Sequence, residues 1–429
     1  MAEAMPTTEI GAAPAVVPPR PRMVAYDKFL DCVHCGLCLS ACPTYVELGT
    51  EMDSPRGRIY LMKGIEDGSL PLSADVVRHL DLCLGCRACE TACPSGVRYG
   101  ELIEAARPFV EAQHRRPAFD RWRRRAIALV FPHPQRLRTL LLPLRLLDLI
   151  GVLPWLRRRV GAAAMLPPLG AWGPLPELVP ARGPEQQRVA LVAGCVAQVL
   201  FAETNRATVR VLTRNHCSVV TPVGQGCCGA LYLHGGARDA ALACARRNID
   251  AFPDEVSAIL TTAAGCGAVL KQYGELLQED ARYAARARAF SAKVRDVTEF
   301  LAALPLVAPS RPLRARVTYH DACHLAHAQG VRQAPRQLLQ QIPGIELVEL
   351  PDADMCCGSA GSYNLTEPAM ARRLGDRKAE NIRATGAEWI AAANPGCVMQ
   401  IRAALRRGGT AATVVHPIEL LDRAYEGGN

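Results

Sequence analysis

No stretch of this sequence stays apolar long enough to cross a bilayer. Its most apolar run, Leu140–Leu156, falls short of the ~20 residues a spanning helix needs, and Pro143, Arg145, Asp148 and Pro154 interrupt it. An export signal is missing as well. Residues 1–21 are rich in Ala and Pro and hold neither a basic n-region nor an apolar core, so they read as a disordered tail. Charge of one sign is not spread along the chain. The net charge of +9 has one source: residues 115–159 hold twelve arginines against Asp120 and Asp148, and the remainder is about neutral. That concentration excludes a nucleic-acid reading of the whole protein. Nothing offers a flavin fold, or a paired acid and base beside a substrate cleft. Gly224–Gly229 does satisfy G-x-G-x-x-G, but its glycines straddle a cysteine pair and no acidic ribose ligand follows at the right distance, which argues against a dinucleotide site.

Cysteine is what the sequence has in excess, 18 in 429 residues. Eight of them form two runs, Cys32-Val-His-Cys35-Gly-Leu-Cys38-Leu-Ser-Ala-Cys42-Pro43 and, 51 residues later, Cys83-Leu-Gly-Cys86-Arg-Ala-Cys89-Glu-Thr-Ala-Cys93-Pro94. Each spells C-x2-C-x2-C-x3-C-P, the run that holds [4Fe–4S] clusters in bacterial two-cluster ferredoxins. Three thiolates two residues apart can wrap one face of a cube of thiophilic irons, while the fourth, set back on a turn that ends in proline, points elsewhere. The expected ligation is therefore crossed. Cys32, Cys35 and Cys38 pair with Cys93 on one cluster, and Cys83, Cys86 and Cys89 pair with Cys42 on the other. A disulfide framework belongs to small secreted domains, and zinc gives no reason for a third cysteine, an x3 step and a proline, twice.

The length suits two to three domains with cores of their own. Residues 22–110 read as an all-helical module around the two runs. Asp53 or Ser54 can cap a helix that has Pro55 in its first turn and Ile59, Met62 and Ile65 on one face, and a second helix spans about 73–82. Arg56 and Arg58 lie near a cluster or on a solvated helix face; the residues alone leave both open. Residues 111–185 form a basic, apolar helical segment and a Pro-rich linker from Leu166 to Pro184. The segment fits an anionic membrane face or a partner, or else an interdomain helical hairpin.

Beyond the linker, short β-runs alternate with helical stretches, the mark of an α/β fold with a largely parallel sheet. The pattern occurs twice, over 186–305 and 314–425, as an internal duplication. Each copy has a cysteine after its first strand, a Cys-Cys-Gly, and a lone cysteine after a later strand: Cys195, Cys227, Cys228 and Cys266, then Cys323, Cys356, Cys357 and Cys397. The gaps are 31 and 37 residues in the first copy, 32 and 39 in the second. All fall at the carboxyl ends of strands, where open α/β sheets place their ligands. Three readings stay open: a further iron–sulfur or metal site in one or both copies, redox-active thiols, or cysteines kept for packing. Cys217 and Cys244 fall outside the pattern and read as core residues. His320, His324 and His327 near Cys323 suggest proton handling or an imidazole ligand, though a helix start explains them as well; the duplication sets Tyr319-His320-Asp321 against Val192-Ala-Gly194.

The double run followed by paired Cys…Cys-Cys-Gly…Cys domains resembles the iron–sulfur subunits that serve flavin dehydrogenases. Relatives include the third subunit of anaerobic glycerol-3-phosphate dehydrogenase, lactate-utilisation proteins and the catalytic subunit of heterodisulfide reductase. Val33-His-Cys-Gly, Cys42-Pro-Thr-Tyr45, Asp53-Ser-Pro-Arg-Gly-Arg-Ile-Tyr60, Cys93-Pro-Ser-Gly-Val-Arg-Tyr99, Ala263-Ala-Gly-Cys-Gly267 and Cys356-Cys-Gly-Ser-Ala-Gly361 are together similar to the iron–sulfur subunit of bacterial glycolate oxidase (glycolate dehydrogenase). The resemblance covers about residues 24–425. It implies an oxidoreductase complex whose FAD-containing partner subunits oxidise glycolate to glyoxylate, while this chain carries electrons towards the membrane quinone pool. It further implies a cytoplasmic chain, peripheral on the inner membrane, with catalytic residues on its partners. A lactate or glycerol-3-phosphate dehydrogenase subunit is the near alternative, and a metal- or redox-sensing binding module the distant one. In the heterodisulfide reductase relatives the last cysteine belongs to a C-x2-C pair; Val269 and Gln400 stand at the partner positions here, which argues against a catalytic disulfide-reducing role.

Overall fold

The structure, a computed structural model, describes residues 23–152 and 172–425. The expected tail, the Pro154–Leu156 end of the apolar run and the first part of the linker lie outside the described residues.

The amino-terminal module is helical, as expected. Ser54 caps the helix Pro55–Asp67 by accepting from Gly57 N, Pro55 opens it, and Gly68 in the left-handed region ends it. Its apolar stripe, Ile59, Met62 and Ile65, is buried against Val77 and Leu80 of Ala74–Asp81 and Leu102, Ile103 and Ala106 of Tyr99–Gln113. Asp53 does not cap. It is buried, where it receives Arg58 at 3.5 Å and His79 Nδ1 at 2.8 Å.

The basic segment is a pair of helices, Ala118–Val130 and Pro134–Leu149. Leu137 and Leu141 of the second are buried against Val199, Leu200 and the second α/β half, so the hairpin bridges modules. Arg123 fixes the first by donating to the carbonyls of Leu365 and Thr366. The opposite side is apolar and exposed at Phe119, Trp122, Leu140, Leu142, Leu146, Leu149 and Ile150. No helix among the described residues is long and apolar enough to cross a membrane.

Two sheets follow. The first runs β1 (Leu178–Val179), β3 (Cys217–Val220), β2 (Gln187–Leu191), β4 (Ala258–Thr261), β5 (Val294–Asp296) in spatial order. The second runs β7 (Ile345–Val348), β6 (Ala315–His320), β8 (Trp389–Ala392), β9 (Thr413–Val415). All neighbours are parallel except β1, which pairs antiparallel with β3. Without β1 the two orders coincide, and the duplication is structural. β1 comes from the stretch that its prolines assign to the linker: two residues are enough to satisfy the outer edge of β3. The halves share a core in which Val189, Leu191 and Leu260 of the first meet Val317, Tyr319 and Ile418 of the second.

Candidate iron–sulfur and thiol centres

In the helical module the chain folds Cys42 back against the second run. Cys42, Cys83, Cys86 and Cys89 line one small cavity of about 20 Å³ together with Arg58, Arg87 and Tyr99. Polar contacts on the sulfurs are already in place. Gly85 N donates to Cys83 Sγ at 3.4 Å, Tyr99 OH to the same sulfur at 3.5 Å, and Thr44 Oγ1 lies 3.3 Å from Cys42 Sγ. Such contacts tune an iron–sulfur cluster through its ligands. Arg58 is the strongest of them. Its solvated-face reading fails, because the side chain is 1% exposed and Nη1 reaches Cys42 Sγ at 3.9 Å. Burial works against the charge, yet Cys83, Tyr99, Cys42 and Asp53 around it hold its pKa above the usual value. Burial first, then Cys323, Cys42 and Cys83, raise Cys86 well above a free thiol. Crowded buried thiols that raise one another's pKa want a cation among them, so the residues fit a cluster.

The first run is more open. Cys35 is exposed, Cys32, Cys38 and Cys93 are half-buried, and Cys38 lies within electrostatic reach of Cys32 and Cys42. Arg56 donates to the carbonyl of His34 at 3.0 Å, which ties this loop to the helix that carries Arg58.

Both Cys-Cys-Gly motifs use their glycine alike. Gly229 and Gly358 have φ of +88° and +87°, and a Cβ on Gly358 would stand 2.6 Å from the carbonyl of Ala371. No other residue brings the pair of thiols so close to the following helix. In the first half, Asn248 accepts from Gly226 N at 2.8 Å and donates to Cys227 O at 3.0 Å, while Tyr273 OH donates to Cys228 O at 2.8 Å. The second half has Lys378 in the corresponding place, donating to the carbonyls of Asp352 and Ala353.

All eight sulfur positions predicted in the two halves, with Cys83 of the helical module, line a single cavity of about 350 Å³. In the first half Cys227 adjoins Cys195, Cys228 and Cys244, and Cys228 adjoins Cys266. Hydrogen bonds from Cys227 and Cys266 hold Cys228 well below a free thiol's pKa. In the second half Cys323 adjoins Cys356, Cys356 adjoins Cys357, and Cys357 adjoins Cys397. Asn394 Nδ2 donates to Cys397 Sγ at 3.4 Å while its Oδ1 accepts from Gly265 N across the halves at the same distance.

One expectation holds and one changes. Cys217 is a core residue, fully buried in β3 with its thiol on Asn215 O and its pKa pushed up by burial to about 11. Cys244 is not: the helix Arg238–Ala251 turns it towards Cys227. Ala241, Ala245 and Asn248, three residues before and one and four after it, are buried, which sets it beside the inner face of that helix. Of the histidines, His324 and His327 are structural. His324 donates Nε2–H to Gly85 O at 2.9 Å and is pushed down by burial to about 4, while His327 lies 3.0 Å from Thr91. His320 is a different case.

Comparison with known proteins agrees with this geometry. The 4Fe-4S dicluster domain matches residues 28–97, and the cysteine-rich CCG domain matches residues 189–271 and 317–402. A probable glycolate oxidase iron-sulfur subunit of Bacillus subtilis is 40% identical over 414 residues, which cover 92% of this chain and 93% of that one. The glycolate oxidase iron-sulfur subunit of Escherichia coli is 40% identical over 401 residues, covering 92% and 94%. Lactate utilization protein A of Oceanobacillus iheyensis is 32% identical but spans 56% of this chain. A hypothetical protein from Helicobacter pylori shares the fold at a TM-score of 0.55 and 8% identity, over 91% of this chain and 72% of that one. With a dicluster module, two CCG halves and end-to-end identity of this degree, the chain belongs to the family of glycolate oxidase iron–sulfur subunits.

Proposed function

We propose that this chain is the electron-transfer subunit of a flavin-dependent glycolate dehydrogenase, receiving electrons from FAD-containing partner subunits and passing them towards a membrane quinone. The observation that carries the reading is the convergence of thiols. Cys86 of the helical module stands beside Cys323 and Cys356 of the second half, and Cys83 lines the cavity that both halves face. A [4Fe–4S] cluster, when bound, supplies a one-electron carrier. The residues supply the rest. Cys42, Cys83, Cys86 and Cys89 hold one cluster, Cys32, Cys35, Cys38 and Cys93 the other, and Arg58 favours the reduced form of the first. Tyr363 OH on Leu82 O (2.9 Å) and His324 on Gly85 O lock the module against the second half. The thiols Cys195, Cys227, Cys228 and Cys266, and Cys323, Cys356, Cys357 and Cys397, hold further iron–sulfur centres. The exposed apolar and basic hairpin, around Trp122 and Leu142–Ile150, suits an anionic membrane face on the cytoplasmic side of the inner membrane.

Anaerobic co-purification with the flavin subunits, followed by electron paramagnetic resonance on adding substrate, tests this. Glycolate is expected to reduce the clusters within the turnover time. Reduction by lactate or glycerol 3-phosphate but not glycolate would transfer the chain to a sister complex, and a colourless, zinc-loaded chain would favour a sensing module. Crossed ligation has its own test: Cys93→Ser should damage the cluster of the first run, not that of Cys83–Cys89.

A further inference from the structure

His320 ends β6, three residues before Cys323, and is 0% exposed. Neither buried ring nitrogen, Nδ1 or Nε2, has a hydrogen bond of good geometry, and the carbonyl of Ala353 is the nearby acceptor for a ring N–H. A neutral imidazole always carries one N–H donor and one lone pair, so burying both unpaired costs about 1–3 kcal/mol for each group left unsatisfied. Beyond that carbonyl, one set of neighbours remains for the lone pair of the other ring nitrogen. One ring nitrogen and the sulfurs of Cys357 and Cys397 all lie within 4.8 Å of one another, and all three residues are buried. Ligands on a single metal ion, at bonds of about 2.0–2.3 Å, stand about 3–4 Å apart. The three atoms therefore converge on a space of one ion, and imidazole beside thiolate is a donor set that iron accepts.

From this geometry we infer that His320 is an imidazole ligand of the iron–sulfur centre in the second half, binding the iron that Cys357 and Cys397 approach. The inference rests on the reading that this half holds such a centre. It makes the two halves chemically different. Leu191 pairs with Leu260, six residues before Cys266, and Tyr319 pairs with Ala391, six residues before Cys397. The residue after Tyr319 thus corresponds to Val192, which is packed in the first half's core and offers no donor. This register also moves the correspondence by one from the Ala193 that the sequence suggested. The first half must complete its donor set differently, and Cys244 beside Cys227 is the thiol at hand. Replacing thiolate by neutral imidazole lowers the negative charge of a centre and makes it easier to reduce, as in Rieske centres.

The test uses the full chain, enriched in ⁵⁷Fe and reconstituted anaerobically, with iron counted and Mössbauer spectra recorded in both redox states. Wild type is expected to hold more than the roughly eight irons of two [4Fe–4S] clusters, and to show an iron whose isomer shift differs from that of thiolate-bound irons. In His320→Val, the residue type of the first half, that component should vanish and the excess iron fall by half or more. His320→Cys should retain the iron but lose the distinct component, which keeps the test open if the valine variant folds poorly. Excess iron with spectra that His320→Cys and His320→Val leave unchanged overturns the ligand assignment alone. Iron at about eight in wild type removes the centre itself, and the assignment with it.

Discussion

Arg58→Met takes a full positive charge from beside the thiols of Cys42 and Cys83. The guanidinium Nη1 is 3.9 Å from Cys42 Sγ, and an iron bound to that sulfur lies about 2.3 Å further. At about 6 Å and an effective dielectric of about 20, the attraction for one added electron is about 2.7 kcal/mol. For a one-electron couple this corresponds to roughly 100 mV, since a tenfold change in the equilibrium is about 59 mV. Loss of the charge disfavours the reduced form, so the potential of the cluster near Cys42 should fall by that amount. The substitution also strands Asp53, which keeps His79 at 2.8 Å but loses Arg58 at 3.5 Å. Leaving one member of a buried pair costs about 3–5 kcal/mol. Arg58→Met combined with Asp53→Asn removes both charges and should recover part of the potential and much of the stability. Redox titration followed by electron paramagnetic resonance reads the potential, and a thermal melt confirms that each variant is folded. A shift below about 20 mV in a folded, fully loaded Arg58→Met chain would refute the electrostatic reasoning.

Three further outcomes are expected. Burial pushes Asp296 up to about 6 from 3.8, so the folded state holds its proton more tightly; the stability this adds is complete below the usual carboxylate pKa and is lost as pH rises through 6. Asp296→Asn keeps a neutral cap on Val297–Ala302, and its stability relative to wild type should climb between pH 5 and 7.5 by about 1.4 kcal/mol in urea titrations; a constant difference would refute the shifted pKa. Gly358→Ala, with φ of +87° and a carbonyl 2.6 Å from the new Cβ, should cost about 3 kcal/mol or more and displace Cys356 and Cys357. Gly49→Ala, at φ +67° with nothing within 4 Å, should cost only about 1 kcal/mol, and equal losses in denaturation would contradict the packing argument. Cys217→Ala should leave iron content unchanged and destabilise the fold by about 1 kcal/mol, whereas Cys227→Ser should lower the iron bound by the first half; iron analysis of the two variants decides.

The parts of the site legible in the sequence were those where chemistry fixes spacing. A cubane dictates C-x2-C-x2-C-x3-C-P, and a strand's carboxyl end followed by a tight turn dictates Cys-Cys-Gly, so those sulfurs could be named without coordinates. The Ser54 cap and the Ile59–Met62–Ile65 stripe followed from local rules of the same kind. What could not be read were relations set by tertiary packing. Arg58 looks like any helix arginine until Ala74–Asp81 closes over it and His79 O accepts its Nε–H at 2.7 Å. Cys244 carries no motif. His320 sits at a strand's end, where composition cannot distinguish a satisfied core histidine from a ligand; its approach to Cys357 and Cys397 does that.

On the proposed ligation, the differences between the halves give the electron path a direction. Gly229 faces Ala241 and Gly358 faces Ala371, and Asn248 and Lys378 follow those alanines by seven residues, so they occupy one structural position. In the first half that position is a neutral amide, bonded to Gly226 N, Cys227 O and Tyr273 OH. In the second it is a buried ammonium: burial lowers its pKa, and the nearby Cys357 and Cys356 oppose that lowering. A positive charge and a neutral imidazole both favour an extra electron on the second half's thiol centre, and that half is the one whose Cys323 and Cys356 approach Cys86 of the helical module. The first half has neither device and gathers a fifth thiol instead, which weighs against added negative charge. On the proposed ligation, electrons leaving the cluster near Cys86 meet a downhill step first in the second half. Exchanging Lys378 for Asn, the residue type of the first half, should slow reduction of that centre while leaving the cluster near Cys42 at its own potential; equal rates in rapid-freeze kinetics would mean that the two halves are electrically alike.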